Sequence, residues 1–401
     1  MSFLRAALAA LAGQNRLPRI SVAVAVLLAV FSLSCGSSSH KTPTGPNHNA
    51  YVSLPDQGAV GLLHIDGATG VLTLGAKTPV TVGNSTTGLA LLPSKKFLYA
   101  VNSRANTISI FTVASDGTLT LTGTPTPSGT TPDAAVIDPS GKYLLVTNSV
   151  NFTGSVSVYS IDGGSGALTE VQGSPFFANS SPTEILFTHS GNFVYVTNPG
   201  IGMVTGFRFD PTAAAILTPV PNSPFPSAAQ GGAAALAVDG GDRFLYVANP
   251  SAANPPPNQA TVGNISGFII NPNTGELSDV LGSPFTATNG KSPTAITVDP
   301  SGRFVYAVTE GSSFSIWCFS ITSAIGQTNG QLVAVTGSPF SMTAGGLFAL
   351  IDPSGNYFYI GSQSGTAIDG YTYNPSTGVP TVITGTPFST GSAPGKMVLS
   401  E

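Results

Sequence analysis

Short apolar runs, each cut off after a few residues by Gly, Pro, Asn or Asp, fill the chain from residue 49 to its end. Runs this short, rich in Val, Ile, Tyr and Phe and bounded by turn residues, predict buried β-strands. One run recurs almost unchanged: NFVYVTNPG at Asn192–Gly200, RFLYVANPS at Arg243–Ser251, RFVYAVTEG at Arg303–Gly311 and NYFYIGSQS at Asn356–Ser364. Aligned on its aromatic, the column reads Tyr51, Tyr99, Leu145, Tyr195, Tyr246, Tyr306 and Tyr359. The spacings are 48, 46, 50, 51, 60 and 53 residues, so the chain holds seven copies of one unit.

Each unit carries four strand-like runs. A small apolar strand such as TAITVD (Thr294–Asp299) leads through a tight DPSG turn, at Asp138, Asp299 and Asp352, into the recurrent aromatic strand. A third strand such as TISIFTV (Thr107–Val113) and a turn such as NPNTG (Asn271–Gly275) lead to a fourth, and a GSPF-like segment closes the unit. Four antiparallel strands repeated at this period predict an all-β, seven-bladed β-propeller, in which each blade buries its faces against its neighbours. The ends agree with a closed ring. NAYVS begins the first unit in its second strand, and SAPGKMVLSE at the C-terminus reads as the missing first strand. Pro394 matches Pro132, Pro182 and Pro293, each 13 residues before the aromatic column.

Composition changes the picture in two ways. Of 401 residues only 8% are charged, with 47 Gly and 32 Pro, which suits a turn-rich β protein; no basic stripe exists, so nucleic acid is not an expected partner. The N-terminus predicts export. Arg5, Arg16 and Arg19 precede the apolar run ISVAVAVLLAVFSLSC, too short for a typical membrane span and suited to a signal peptide over residues 1–34. FSLSC resembles a bacterial lipobox, so Cys35 is the expected lipidation site and 35–48 a flexible tether to the propeller at 49–401. With Cys35 lipidated, Cys318 has no disulfide partner and is expected as a small buried filler.

YVTN (Tyr195–Asn198) together with DPSG resembles the YVTN-type repeats of bacterial surface propellers. Over 49–401 the chain also resembles the lactonase-like seven-bladed family, which includes 6-phosphogluconolactonases. That resemblance implies an inner-strand start of the form Pro-Arg-His or Pro-His. Here the matching stretches read Pro132-Asp133-Ala134, Pro182-Thr183-Glu184, Pro293-Thr294-Ala295 and Pro394-Gly395-Lys396, with no histidine.

In a propeller the inner strands start, and the second strands end, on one face. Asp133, Glu184 and Lys396 are therefore expected around the channel mouth, with Arg104, the turn residues Asn102, Asn148, Asn198 and Asn249, and the Pro-rich loop from Pro250 to Gly263. Asp133 and Glu184, read as equivalent positions of adjacent blades, form a candidate acid–base pair, and Lys396 a group to polarise a carbonyl or pair with one of them. The asparagines also read as turn formers. No metal site and no cofactor is expected.

Two functions are consistent with these features. One is a lipid-anchored binding or interaction module of the bacterial cell envelope, monomeric, holding a small lactone, a glycan or a protein. The other is a lactone hydrolase, cleaving a carboxylic ester bond with the mouth carboxylates.

Overall fold

The structure is a computed structural model. It describes residues 47–400, apart from 84, 151–152, 228–231, 251–262, 287–291, 311–313, 323–328, 343–344 and 363–364. The expected signal peptide, Cys35, the expected tether up to residue 46 and most of the Pro-rich loop lie outside the described residues; His48, expected at the end of the tether, opens the first strand of the propeller.

Seven antiparallel sheets follow one another along the chain. Blade 1 is ordered Leu72–Leu74, Ala59–Ile65, His48–Leu54, Met397–Ser400, so the last strand of the chain is the inner strand of the first blade. Tyr51 lies opposite Val398 and Val52 opposite Met397. The inner strands of blades 2 to 7 are Thr86–Leu91, Pro132–Ile137, Ile185–Phe187, Ala235–Val238, Ser292–Val298 and Gly346–Ile351. The ring is a seven-bladed propeller with four principal strands per blade, closed by its C-terminus.

Packing between blades explains the repeated motif. Every member of the aromatic column, Leu145 included, is 0% exposed. Each apolar cluster joins neighbours: Val52, Leu63 and Leu72 of blade 1 pack with Phe348, Tyr359 and Ile368 of blade 7. The tyrosines also carry a hydroxyl, and a buried hydroxyl needs a partner. Each donates to the carbonyl of a glycine in the next blade's turn between third and fourth strands. Tyr51 reaches Gly117 at 2.9 Å, Tyr99 Gly166 at 3.0 Å, Tyr195 Gly275 at 2.7 Å and Tyr246 Gly330 at 2.8 Å. Tyr306 reaches Gly378 and Tyr359 reaches Gly70, both at 2.8 Å, the latter across the closure of the ring. Blade 3 is the exception on both sides: Leu145 offers no hydroxyl, and the facing turn of blade 4, Asp210 to Ile216, contains no glycine.

The GSPF-like segments do more than close each unit. In five blades they form a short fifth strand on the third: Val80–Thr81, Phe176–Phe177, Phe225–Pro226, Phe340–Ser341 and Phe388–Ser389. Blade 5 keeps one bridge, Ile265 to Phe285, and blade 2 lengthens its fourth strand to Leu119–Pro127. Cys318 is a buried, free thiol within 3.2 Å of the Gly378 carbonyl, and burial pushes its pKa up to about 12.

Candidate active site

The start of each inner strand lies beside the end of its second strand. Pro132 faces Asn148, Thr86 faces Asn102, and the Thr183 N–H donates to the Thr197 carbonyl at 3.2 Å. At this point the inner strand fits two residues against one. Register shifts leave Thr87, Asp133, Thr294 and Leu347 as the extra residues of blades 2, 3, 6 and 7. Bulges of this kind re-aim side chains at functional edges.

Counting back from the residue opposite the aromatic column defines two rows around the channel. The outer row is Thr87, Asp133, Thr183, Ala234, Thr294, Leu347 and Gly395. One residue further on, the second row is Gly88, Ala134, Glu184, Ala235, Ala295, Phe348 and Lys396. Asp133 and Glu184 are thus not equivalent, as the sequence reading had them; Asp133 matches Thr183. The partner that shares Glu184's row is Lys396.

Glu184 and Lys396 meet across the ring, blade 4 to blade 1, and the Lys396 amine donates to Glu184 Oε2. Their side chains keep 23% and 35% of their surface, so the pair is shielded but not dry. Burial disfavours the Lys396 ammonium, but Glu184 and Asp133 outweigh that and hold its pKa above the ordinary lysine value. Asp133 goes the other way. Burial pushes its carboxyl from 3.8 up to about 6; Lys396 draws it down and Glu184 pushes it further up. The three charges expected at the mouth form one electrostatic unit.

Sequence reasoning missed what seats them. Two residues beyond the aromatic column, the seven second strands read Ser53, Val101, Thr147, Thr197, Ala248, Val308 and Gly361. The three hydroxyls belong to the three charged blades. Ser53 Oγ accepts from the Lys396 N–H at 2.8 Å, Thr147 Oγ1 from the Ala134 N–H at 2.9 Å, and Thr197 Oγ1 from the Glu184 N–H at 3.0 Å. Each pins the backbone at or next to a charged side chain. The signal was present as YVS, LVT and YVT against YAV, YVA, YAV and YIG.

The other expected contacts lie elsewhere. Asn102, Asn148, Asn198 and Asn249 are all buried, each bonded to the third strand of its blade, and Asn148 and Asn249 also accept from Ser128 and Ser227. Asn102 Nδ2 donates to Ser109 Oγ at 2.9 Å and Asn148 Nδ2 to Ser157 Oγ at 3.0 Å. Asn198 sits between Thr205 Oγ1 and the Ala178 and Ser180 carbonyls. Asn249 Nδ2 donates to Ser266 Oγ and Asn264 Oδ1, both at 2.9 Å. With their amides so used, these four build the turns and do not face the channel mouth. Arg104 is exposed and lines, with Asp56, Gln57 and Ser85, a polar recess of about 190 Å³ between blades 1 and 2. Among the described residues, no group of three or more His, Cys, Asp or Glu side chains is placed to hold a metal ion.

The closed ring is that of a seven-bladed β-propeller, with a lysine and two carboxylates at one channel mouth. The model of the lactonase family of seven-bladed β-propellers matches residues 47–180, 153–332 and 264–393, and the chain belongs to that family. It is similar to 6-phosphogluconolactonase of Bacillus subtilis, 25% identical over 265 residues, which span 63% of this chain and 71% of that protein. Its fold is similar to that of the periplasmic gluconolactonase PpgL of Pseudomonas aeruginosa, with a TM-score of 0.70 and 17% identity over 89% of this chain and 99% of that one. A protein from Lactobacillus plantarum gives the same TM-score, at 16% identity, over 89% of this chain and 100% of its own.

Proposed function

We propose that the chain is a hydrolase of uncharged lactones, exported and tethered through Cys35, with its site at the channel mouth. One observation carries the reading: a carboxyl with a pKa near the working range, Asp133, stands within the field of an ammonium, Lys396, in a chain of the lactonase family. Asp133 takes a proton from water as the water oxygen bonds to the lactone carbonyl carbon. Lys396 donates a hydrogen bond to the carbonyl oxygen, where negative charge develops. When the ring C–O bond breaks, Asp133 returns its proton to the leaving alkoxide, and the product is a hydroxy acid. Glu184 acts through Lys396, as a positioning residue that keeps the amine charged and aimed.

An uncharged substrate fits the charge balance. Among the described residues, two carboxylates and one lysine leave the mouth without the cationic cluster that a phosphate group calls for. The gluconolactonase named for Pseudomonas aeruginosa supports this reading better than the phosphorylated substrate named for the Bacillus subtilis relative. The test is hydrolysis of glucono-δ-lactone and 6-phosphogluconolactone by the purified protein beside Asp133→Asn. We expect turnover of the uncharged lactone, lowered at least 100-fold in the variant. Turnover that the variant keeps would remove Asp133 as the base. Tethering predicts that a cell-grown Cys35→Ser variant moves from the membrane to the soluble fraction.

A second reading, a ligand-binding module without turnover, draws on the ion pair itself: Glu184 and Lys396 already satisfy one another. Ligand binding in the absence of any lactone hydrolysis would favour it.

A further inference from the structure

The mouth has two unlike halves. Of the two rows, blades 1 to 4 hold Lys396, Thr87, Asp133, Thr183 and Glu184, whereas blades 5 to 7 hold the half-buried Ala234, the buried Ala235, Ala295 and Phe348, the hydroxyl of Thr294 and the exposed Leu347. Leu347 is the departure that asks for a reason. It occupies the bulge row where blades 2, 4 and 6 place threonine, and its side chain is 38% exposed. Eight other large apolar side chains are comparably exposed, from Leu74 to Val382, but they belong to third, fourth or fifth strands, a turn or a short 3-10 segment. Among the described residues, Leu347 alone of these comes from an inner strand, the strand that lines the channel. Threonine would meet water at lower cost and is the repeat's usual choice there. Thr87 and Thr294 each use the hydroxyl to reach the next blade, at the Asp133 and Gly346 carbonyls. Blade 7 gives up that bond for an exposed apolar side chain.

We propose that Leu347 is a specificity residue and that the substrate is a lactone with an alkyl or acyl substituent. The carbonyl lies against the charged half, and the substituent covers Leu347. The inference rests on the lactonase reading for its reaction but not for its contact surface. A polyhydroxylated lactone would set hydroxyls against Leu347, whose side chain offers them no hydrogen bond, which hydrophobic contact does not repay.

The experiment compares kcat/KM for δ-octalactone and glucono-δ-lactone in the full-length protein and in Leu347→Thr, which installs the repeat's own residue. The wild type is expected to prefer δ-octalactone, and the variant to lose that preference about tenfold, the scale of a few methylene contacts in an apolar site. A preference for glucono-δ-lactone, or a ratio that Leu347→Thr leaves unchanged, overturns the proposal while leaving the hydrolase reading intact. If neither lactone is hydrolysed, the hydrolase reading falls, and calorimetric binding of δ-octalactone decides the rest. Affinity weakened about tenfold in Leu347→Thr supports the apolar contact, and no binding, or binding the variant does not alter, overturns it.

Discussion

Asp133 is at once the base of the proposed hydrolysis and a residue the fold would be better without. Its pKa is about 6 in the folded chain, against 3.8 ordinarily, so between those values the folded state holds a proton that the unfolded state has released. Its contribution to stability is therefore fully present below about pH 3.8 and is lost as the pH rises through about 6. A displacement of that size in a fully buried group would amount to about 3 kcal/mol; Asp133 keeps some exposure, so about 1–2 kcal/mol is expected. Asp133→Asn should accordingly be more stable than the wild type at pH 7.5 by that amount in urea denaturation, and the gain should vanish at pH 4. A variant equally or less stable at pH 7.5 would show that the carboxylate is well solvated. The prolines that open the inner strands marked Asp133, Glu184 and Lys396 in the sequence, and the structure brings all three together. Their offset was countable, one residue past Pro132 for Asp133 and two past Pro182 and Pro394 for the others. Which of the two carboxylates pairs with Lys396 was not, since it depends on how narrow the channel is.

At the scale of the strand and turn, the tyrosine–glycine bonds join one blade to the next. Gly275, at φ +74° with Phe193 2.3 Å from where a Cβ would stand, cannot be replaced without moving a neighbouring blade. Tyr246→Phe removes the donor and leaves the buried Gly330 carbonyl unmet, which costs about 1–3 kcal/mol. Chemical denaturation should show that loss with the same dependence on denaturant; a change below about 0.5 kcal/mol would mean that water or another donor replaces the hydroxyl. The aromatic column was legible because a buried strand repeats its residue types. Its hydroxyl partners were not, because each lies 66 to 84 residues away in the chain, or 289 for the pair that closes the ring. The asparagines were misplaced for a related reason. A turn residue at a propeller rim looks the same in sequence whether its amide points outward or, as in all four here, back into its own blade.

For the whole molecule, closure and site are one feature. The final strand completes blade 1 through the Ser53 N–H to the Lys396 carbonyl and the Gly395 N–H to the Ser53 carbonyl, both 2.8 Å, and it carries the lysine across the channel from Glu184. Removing residues 395–401 should abolish cooperative unfolding, since it exposes the inner edge of blade 1 and unpairs Tyr51 and Val52 from their strand. A truncated chain that still melts in one sharp transition would show that the ring holds without its clasp. Seven units and the wrap of the C-terminus onto the first blade were readable from spacing alone, because a ring of stacked sheets requires one whole sheet per repeat. The fifth short strand was not, for two residues of pairing leave no periodic trace. The most direct test of the whole account is the pH dependence of kcat/KM for an uncharged δ-lactone. Activity should rise with pH through a value near 6 as the Asp133 carboxylate forms, and Asp133→Asn should lose both the activity and that limb. A profile flat from pH 5 to 8, or an Asp133→Asn variant with the same limb, would contradict the assignment of the base and with it the account of the channel mouth.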